Sequence, residues 1–305
     1  MGVSQADLRR QAIIRHVIYL LVAVAIIVPY LDRTPLRFRP SPYAVKLYDK
    51  LNGLKPRSHV LLSFDYDPTS KGELYPMSMA LLRHCFQKDL IPVVMTHWQG
   101  GLGLFKEIIE KTAGESEALW GRKVVSGRDY VFLGYRPGWS NLLLNMGENF
   151  KGAFAKDFYG RPTEPMPALE GVRTLTDIDA AVDVAAGATV EMWIAYGSDR
   201  FGFPLGVGTT AVMAPDLYPF LQSNQLVGFL GGLRGAADYE QLIQQRDVAS
   251  IDMRPQTVTH ILLIVLILMH SGNKLAVHIY RSSVPASLLR LYGRDGAHLV
   301  LSYKC

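Results

Sequence analysis

The sequence predicts a membrane-anchored α/β protein built on a doubly wound, mostly parallel sheet of about five strands. Three observations carry that expectation. Residues 13–31 read IIRHVIYLLVAVAIIVPYL, close to the ~20 apolar residues that cross a hydrocarbon core. From His59 onward, short apolar runs alternate with longer amphipathic stretches, the pattern of strands joined by crossover helices. Cysteine is nearly absent: Cys85 and Cys305 stand far apart with no CxxC spacing, which excludes a disulfide-stapled domain and the usual zinc or redox motifs. A chain of 305 residues that is 49% hydrophobic needs no such staples to bury a core.

The membrane segments come first in the chain. Residues 1–12 form a short N-terminus and residues 13–31 a transmembrane helix, with Arg15 and His16 near its start, where a long basic side chain can snorkel to the headgroups. A cleavable signal peptide is the competing reading. The apolar run is longer than a signal core, and Pro29-Tyr30-Leu31-Asp32-Arg33 lacks small residues at a cleavage position, so an uncleaved anchor is expected. Residues 32–57 are a juxtamembrane linker with four prolines around a helical stripe of Ala44, Leu47, Tyr48, Leu51 and Leu54, which either rests on the membrane surface or packs on the domain it precedes. A second apolar run spans residues 257–277 and is interrupted by His260, His270 and Lys274; it is either a second transmembrane helix or a core helix. Residues 278–305 form a basic tail.

Basic residues cluster beside these runs. Arg9 and Arg10 precede the first and Arg15 lies at its start, and Lys274, Arg281, Arg290, Arg294 and Lys304 lie in or beyond the second, which puts both termini in the cytoplasm and the domain of residues 58–250 outside the plasma membrane. Arg33, Arg37, Arg39, Lys46 and Lys50, on the opposite side, argue against it. The net charge of +5 is therefore directed at lipid headgroups, and His260 and His270 in the second run are candidate contacts with other membrane proteins; the basic residues form no patch interleaved with aromatics, so no nucleic-acid partner is expected.

Within the domain, residues 60–64 form the first strand and residues 73–87 a helix with Pro76 in its first turn. Residues 91–96 form the second strand, followed by Gly100-Gly101-Leu102-Gly103 and a helix through Lys111. Residues 130–134 form the third strand, with a helix from Trp139; the proline-rich residues 160–171 read as a long surface loop or lid. Residues 180–185 form the fourth strand, residues 189–201 a helix, residues 205–213 the fifth strand, and residues 217–245 helix broken around Gly231-Gly232. This order is Rossmann- or flavodoxin-like.

Ligands of such sheets collect outside the carboxyl ends of the strands. Those ends carry Asp65-Tyr66-Asp67, His97-Trp98, Tyr135-Arg136, Gly187 and Ala214-Pro215-Asp216. Asp65 and Asp67 are candidate catalytic groups or ligands for a divalent cation; the alternative is that one caps the following turn and the other is solvated. His97 is a candidate base. Tyr66, the backbone of Gly100, Gly101 and Gly103, and Arg136 are candidate ligand contacts, the glycines and Arg136 suited to an anion. The spacing GxGxxG is not met in that turn, and neither GxSxG nor HExxH occurs, so no cofactor is assigned. Two functions are compatible with these residues. One is a tethered domain that binds a ligand or partner protein outside the membrane as part of a membrane complex; the other is a membrane-anchored metal-assisted hydrolase or phosphoryl-transfer enzyme using Asp65 and Asp67.

Overall fold

In the computed structural model, which describes residues 5–32, 34 and 38–283, six parallel strands form one sheet in the order β3-β2-β1-β4-β5-β6. The chain divides into two units, Met1–Asp32 with Pro255–Cys305, and Arg33–Arg254.

The first unit contains helix α1 (Gln5–Leu31). Residues Leu8–Leu31 of α1 have a mean hydropathy of 2.3, and their side chains are largely exposed, Ile13 by 64% and Leu20 by 64%. The last described helix, α11 (Val248–Ser283), crosses the division between the units; its residues Val248–Ser271 have a mean hydropathy of 1.4 and expose Ile261, Ile267 and Leu268. Among the described residues, two helices are thus long and apolar enough to cross a membrane. The helix runs past both ends of the apolar stretch of residues 257–277, and the basic residues 284–305 of the tail lie outside the described residues, as do Arg33 and Arg37.

The second unit begins with helix α2 (Pro42–Asn52), started by Ser41, whose hydroxyl accepts the Ala44 N–H. Its stripe packs inward: Ala44, Leu47 and Leu51 are buried, each leucine contributing roughly 1.5–3 kcal/mol relative to exposure. The close approach depends on Gly228 in the sheet, where a Cβ would lie 2.5 Å from the Leu47 backbone nitrogen. Strand β1 (His59–Asp65), helix α3 (Lys71–Gln87), strand β2 (Ile91–Thr96) and helix α4 (Leu102–Trp120) follow as two βα units. Strand β3 (Val131–Tyr135) leads to helices α5 (Ser140–Glu148) and α6 (Phe150–Ala153). The long return to strand β4 (Ala180–Ala185) includes residues 160–171, which fold down onto the sheet: Met166, Ala168 and Leu169 are buried.

After β4 comes one continuous helical stretch: α7 (Thr189–Met192), a π-helical segment (Trp193–Ser198) and α8 (Asp199–Phe201). Strand β5 is Leu205–Thr209, shorter than the run of residues 205–213, because the chain turns after Thr209 into the approach to helix α9 (Tyr218–Gln222). The sixth strand, β6 (Gly228–Gly231), lies where the sequence suggested only a break in helix, since its four residues are bounded by glycines; helix α10 (Gly232–Leu242) follows it. Helices α2, α3, α4 and α10 cover one face of the sheet, α5, α6 and the α7–α8 stretch the other, so the sheet is doubly wound.

Candidate functional site

Strand order reverses between β1 and β4: the chain steps from β1 outward through β2 to β3, then returns beside β1 and continues outward through β5 to β6. The crevice at the carboxyl ends of β1 and β4 is the switch point of the fold. Side chains alternate across a strand, so Leu61, Ser63 and Asp65 of β1 share the face covered by α5 and the π-helical segment, while Phe64 faces α3 and α4. Ser63 pairs in register with Asp183 of β4, which brings a second carboxyl group onto the same face.

Asp65 is fully buried and well satisfied. The His97 backbone N–H donates to it at 2.6 Å, the Ser63 hydroxyl at 2.6 Å, and His97 Nδ1 lies 3.2 Å away. The Thr96 hydroxyl stands 3.4 Å from the same carboxylate. Burial pushes the Asp65 carboxyl up, but His97 and Ser63 outweigh it and hold the group below the usual carboxylate range. In the neutral form of the ring, a carboxylate beside Nδ1 keeps the proton on that nitrogen and leaves Nε2 with a lone pair.

Asp183 is buried to the same degree, yet neither carboxyl oxygen has a hydrogen-bond partner. It lies against Asp65 and Thr189, and two carboxyl groups come together away from water only when one carries a proton. Burial, then repulsion from Asp65, raise the Asp183 carboxyl well above its ordinary value, so Asp183 holds that proton. Three more buried polar atoms of this neighbourhood lack partners: His97 Nε2, Thr189 Oγ1 and Trp193 Nε1. Buried polar groups are almost always satisfied, and a concentration of exceptions in one place marks a functional site or an internal water.

Three of the chain's four tryptophans gather here. Trp193 meets the His97 ring edge-on at 5.8 Å, Trp139 approaches it at 6.3 Å, and Trp98 meets Trp139 edge-on at 6.0 Å. A Cβ on Gly187 would touch the Trp98 ring, so that indole reaches from the end of β2 to the end of β4. Trp139 is 44% exposed and sits at φ 45°, ψ −117°, after Gly138 at φ 124°. A bulky residue held at positive φ is strained, and such strain clusters at ligand clamps. The π-helical turn that begins at Trp193 belongs to a class of distortion frequent at functional sites.

The sequence-predicted residues do not all come together. Asp65 and His97 meet in the crevice. Asp67 does not join them: it is exposed, and its carboxylate caps the turn of residues 68–70 by accepting the Thr69 N–H and hydroxyl, which hold it below its ordinary value. Tyr66 lies on the opposite face, buried against Phe105 with its hydroxyl 2.9 Å from Ser78 Oγ. Among the glycines, Gly101 is required by packing, since a Cβ there would strike the Phe105 ring and the Tyr66 carbonyl, whereas Gly100 and Gly103 have open space. Leu102, at the start of α4, and Arg136 line a cleft of about 310 Å³ with Lys156 and Asp157; the Arg136 guanidinium stands 5.8 Å from the Phe154 ring. Among the described residues, no group of three or more His, Cys, Asp or Glu is placed to hold a metal ion.

Asp183, Thr189, Trp139 and Trp193 are the residues that sequence reasoning missed. The signal for Asp183 was present: a lone acid in the middle of the apolar run Ala180-Ala181-Val182-Asp183-Val184-Ala185. No family model matches the chain, and no curated protein matches it in sequence.

Proposed function

We propose that the protein is a membrane-tethered α/β domain that binds a ligand in the crevice between the carboxyl ends of β1 and β4. One observation carries this reading: the buried side-chain atoms of Asp183, His97, Thr189 and Trp193 that lack partners stand together at the switch point of the sheet. The strained Trp139 backbone and the indoles of Trp98 and Trp139 supply the outer wall through which a ligand enters.

The tether consists of α1 and the apolar part of α11, whose exposed leucine and isoleucine side chains suit lipid. The distribution of Arg9, Arg10 and Arg15 against Lys274 and Arg281 favours cytoplasmic termini and an extracytoplasmic domain in the cell membrane. Arg39, Lys46 and Lys50 weigh less against this orientation once α2 is counted with the domain, because charges on folded, translocated domains contribute little to orientation. His260 and His270, on the apolar helix α11, are candidate contacts with other membrane proteins.

A second reading, acid–base catalysis in the same crevice, is favoured by the Asp65–His97 contact, which orients the imidazole as in many hydrolytic sites. It replaces Asp67 with Asp183 as the partner carboxyl, since Asp67 is turned away and capped.

The test uses the full-length chain with Trp120→Phe in lipid nanodiscs, so that the three remaining tryptophans all report on the site. Small molecules of mixed charge are screened by thermal shift and tryptophan fluorescence. Ligands are expected whose effect disappears in His97→Ala; chemical change of such a ligand in wild type would select the catalytic reading. If every hit acts equally on His97→Ala, the crevice is not the site.

A further inference from the structure

Resting on that ligand-binding reading, we infer that the crevice recognises a primary ammonium group, held by Asp183, His97 Nε2 and Thr189 Oγ1 beneath the indoles of Trp139 and Trp193. The unpartnered atoms are mainly acceptors. Asp183 offers two oxygens, Thr189 a hydroxyl oxygen, and His97 the Nε2 lone pair that remains when its Nδ1 proton faces Asp65; Trp193 Nε1 is the lone obligate donor. An ammonium group has three donors and no acceptor, so it matches this set, whereas an anion would meet two carboxyl groups.

Charge gives the same answer. Among the described residues Asp65 meets no Lys or Arg, only the His97 ring at 3.2 Å, and Asp183 makes no ion pair. No Lys or Arg compensates the pair, which is left electrically incomplete in a region walled by indole rings, the side chains that best accommodate a cation. Before an ammonium binds, the Asp183 carboxyl carries a proton. Binding of R–NH3+ displaces it: the Asp183 carboxyl gives up one proton to solvent and becomes the carboxylate that receives the ammonium. The groups that act on Asp183 in this exchange are Asp65, Thr189 and, from α7, Glu191, with His97 facing Asp65 from the end of β2. A divalent cation is a poorer fit, because Asp65 already accepts from His97 and Ser63 and no three-residue ligand group forms among the described residues.

The ammonium can belong to a small free amine or to a lysine side chain of another protein, and the two are separable. The full-length protein in nanodiscs, treated with a chelator, is titrated calorimetrically with n-propylammonium chloride and with a lysine blocked at both its amino and carboxyl ends. Tetramethylammonium chloride, which has no N–H, and sodium chloride serve as controls at equal ionic strength, and each titration is repeated in two buffers of different ionisation enthalpy. The expected result is saturable binding of a primary ammonium with release of about one proton per site, absent for tetramethylammonium and weakened at least about tenfold by Asp183→Asn and by Thr189→Val. Binding of n-propylammonium alone assigns a free amine; binding of the blocked lysine assigns a partner protein. Retention of wild-type affinity in Asp183→Asn overturns the inference, as does a response to Mg2+ or Zn2+ in place of the amine. A neutral or anionic ligand whose effect needs His97, with no response to either amine, also overturns it while leaving the binding crevice itself intact.

Discussion

Two buried acids of the same domain are treated in opposite ways. Glu240 of α10 is buried and accepts four hydrogen bonds, from the backbone N–H groups of Asp247, Ala249 and Ser250 and from the Ser250 hydroxyl. It thereby caps the first turn of α11, where unsatisfied N–H groups and the helix dipole both favour an acid. Asp183 of β4 is equally buried and accepts none. Burial raises both carboxyl groups, but for Glu240 the four donors oppose it, whereas for Asp183 the neighbouring Asp65 adds to it. The proposed site rests on this contrast: Glu240 has its donors and belongs to the scaffold, whereas Asp183 has none.

The largest expected effect is at Glu240. Glu240→Ala strands three backbone N–H groups and a hydroxyl in the interior and is expected to destabilise the protein by about 4 kcal/mol. Thermal denaturation of the full-length chain checks this, and a loss under about 1 kcal/mol would show that water replaces the cap.

Next in size is His84, a third buried titratable group on the α2–α3–α10 side of the sheet. It stacks on Tyr48, and its Nδ1 lies 2.7 Å from the Tyr239 hydroxyl. Burial, with a smaller contribution from Lys88, pulls its pKa down to about 4 from the ordinary 6.5. Because the folded value is the lower one, the unfolded chain takes up the proton first as the solution is acidified. Stability is therefore full above pH 6.5 and falls between there and about pH 4, by roughly 3 kcal/mol. His59, lowered by burial as well, adds to the same slope. A flatter profile in His84→Gln than in wild type is the expected outcome.

Much of this architecture was legible in the sequence because buried parallel strands and helical stripes are patterns of hydrophobicity. Residues 180–185 matched β4 at both ends, and the strand ends carrying Asp65 and His97 were located. What escaped detection depended on tertiary partners. β6 is a four-residue strand bounded by glycines, and Gly228 is explained only by the Leu47 backbone lying against it. Asp65 and Asp67 looked like a pair because they are adjacent in sequence, but the chain turns after Asp65 and sends the second carboxylate to Thr69. The true neighbour of Asp65 comes from β4, more than a hundred residues away, and the parallel register beside Ser63 brings it there.

The smallest effect in size tests the central claim most directly: the pH dependence of the stability difference between Asp183→Asn and wild type. The folded value of Asp183 lies above its unfolded value, so the stability its proton confers is complete below about pH 4 and is lost as the pH rises toward the folded value. Asparagine does not titrate. The two proteins are expected to melt together near pH 4, with the variant gaining on wild type as the pH climbs toward 7. A variant less stable than wild type by a constant amount from pH 4 to 7 would mean that Asp183 is ionised and fully partnered, as Glu240 is, and would contradict the assignment of the crevice as a binding site.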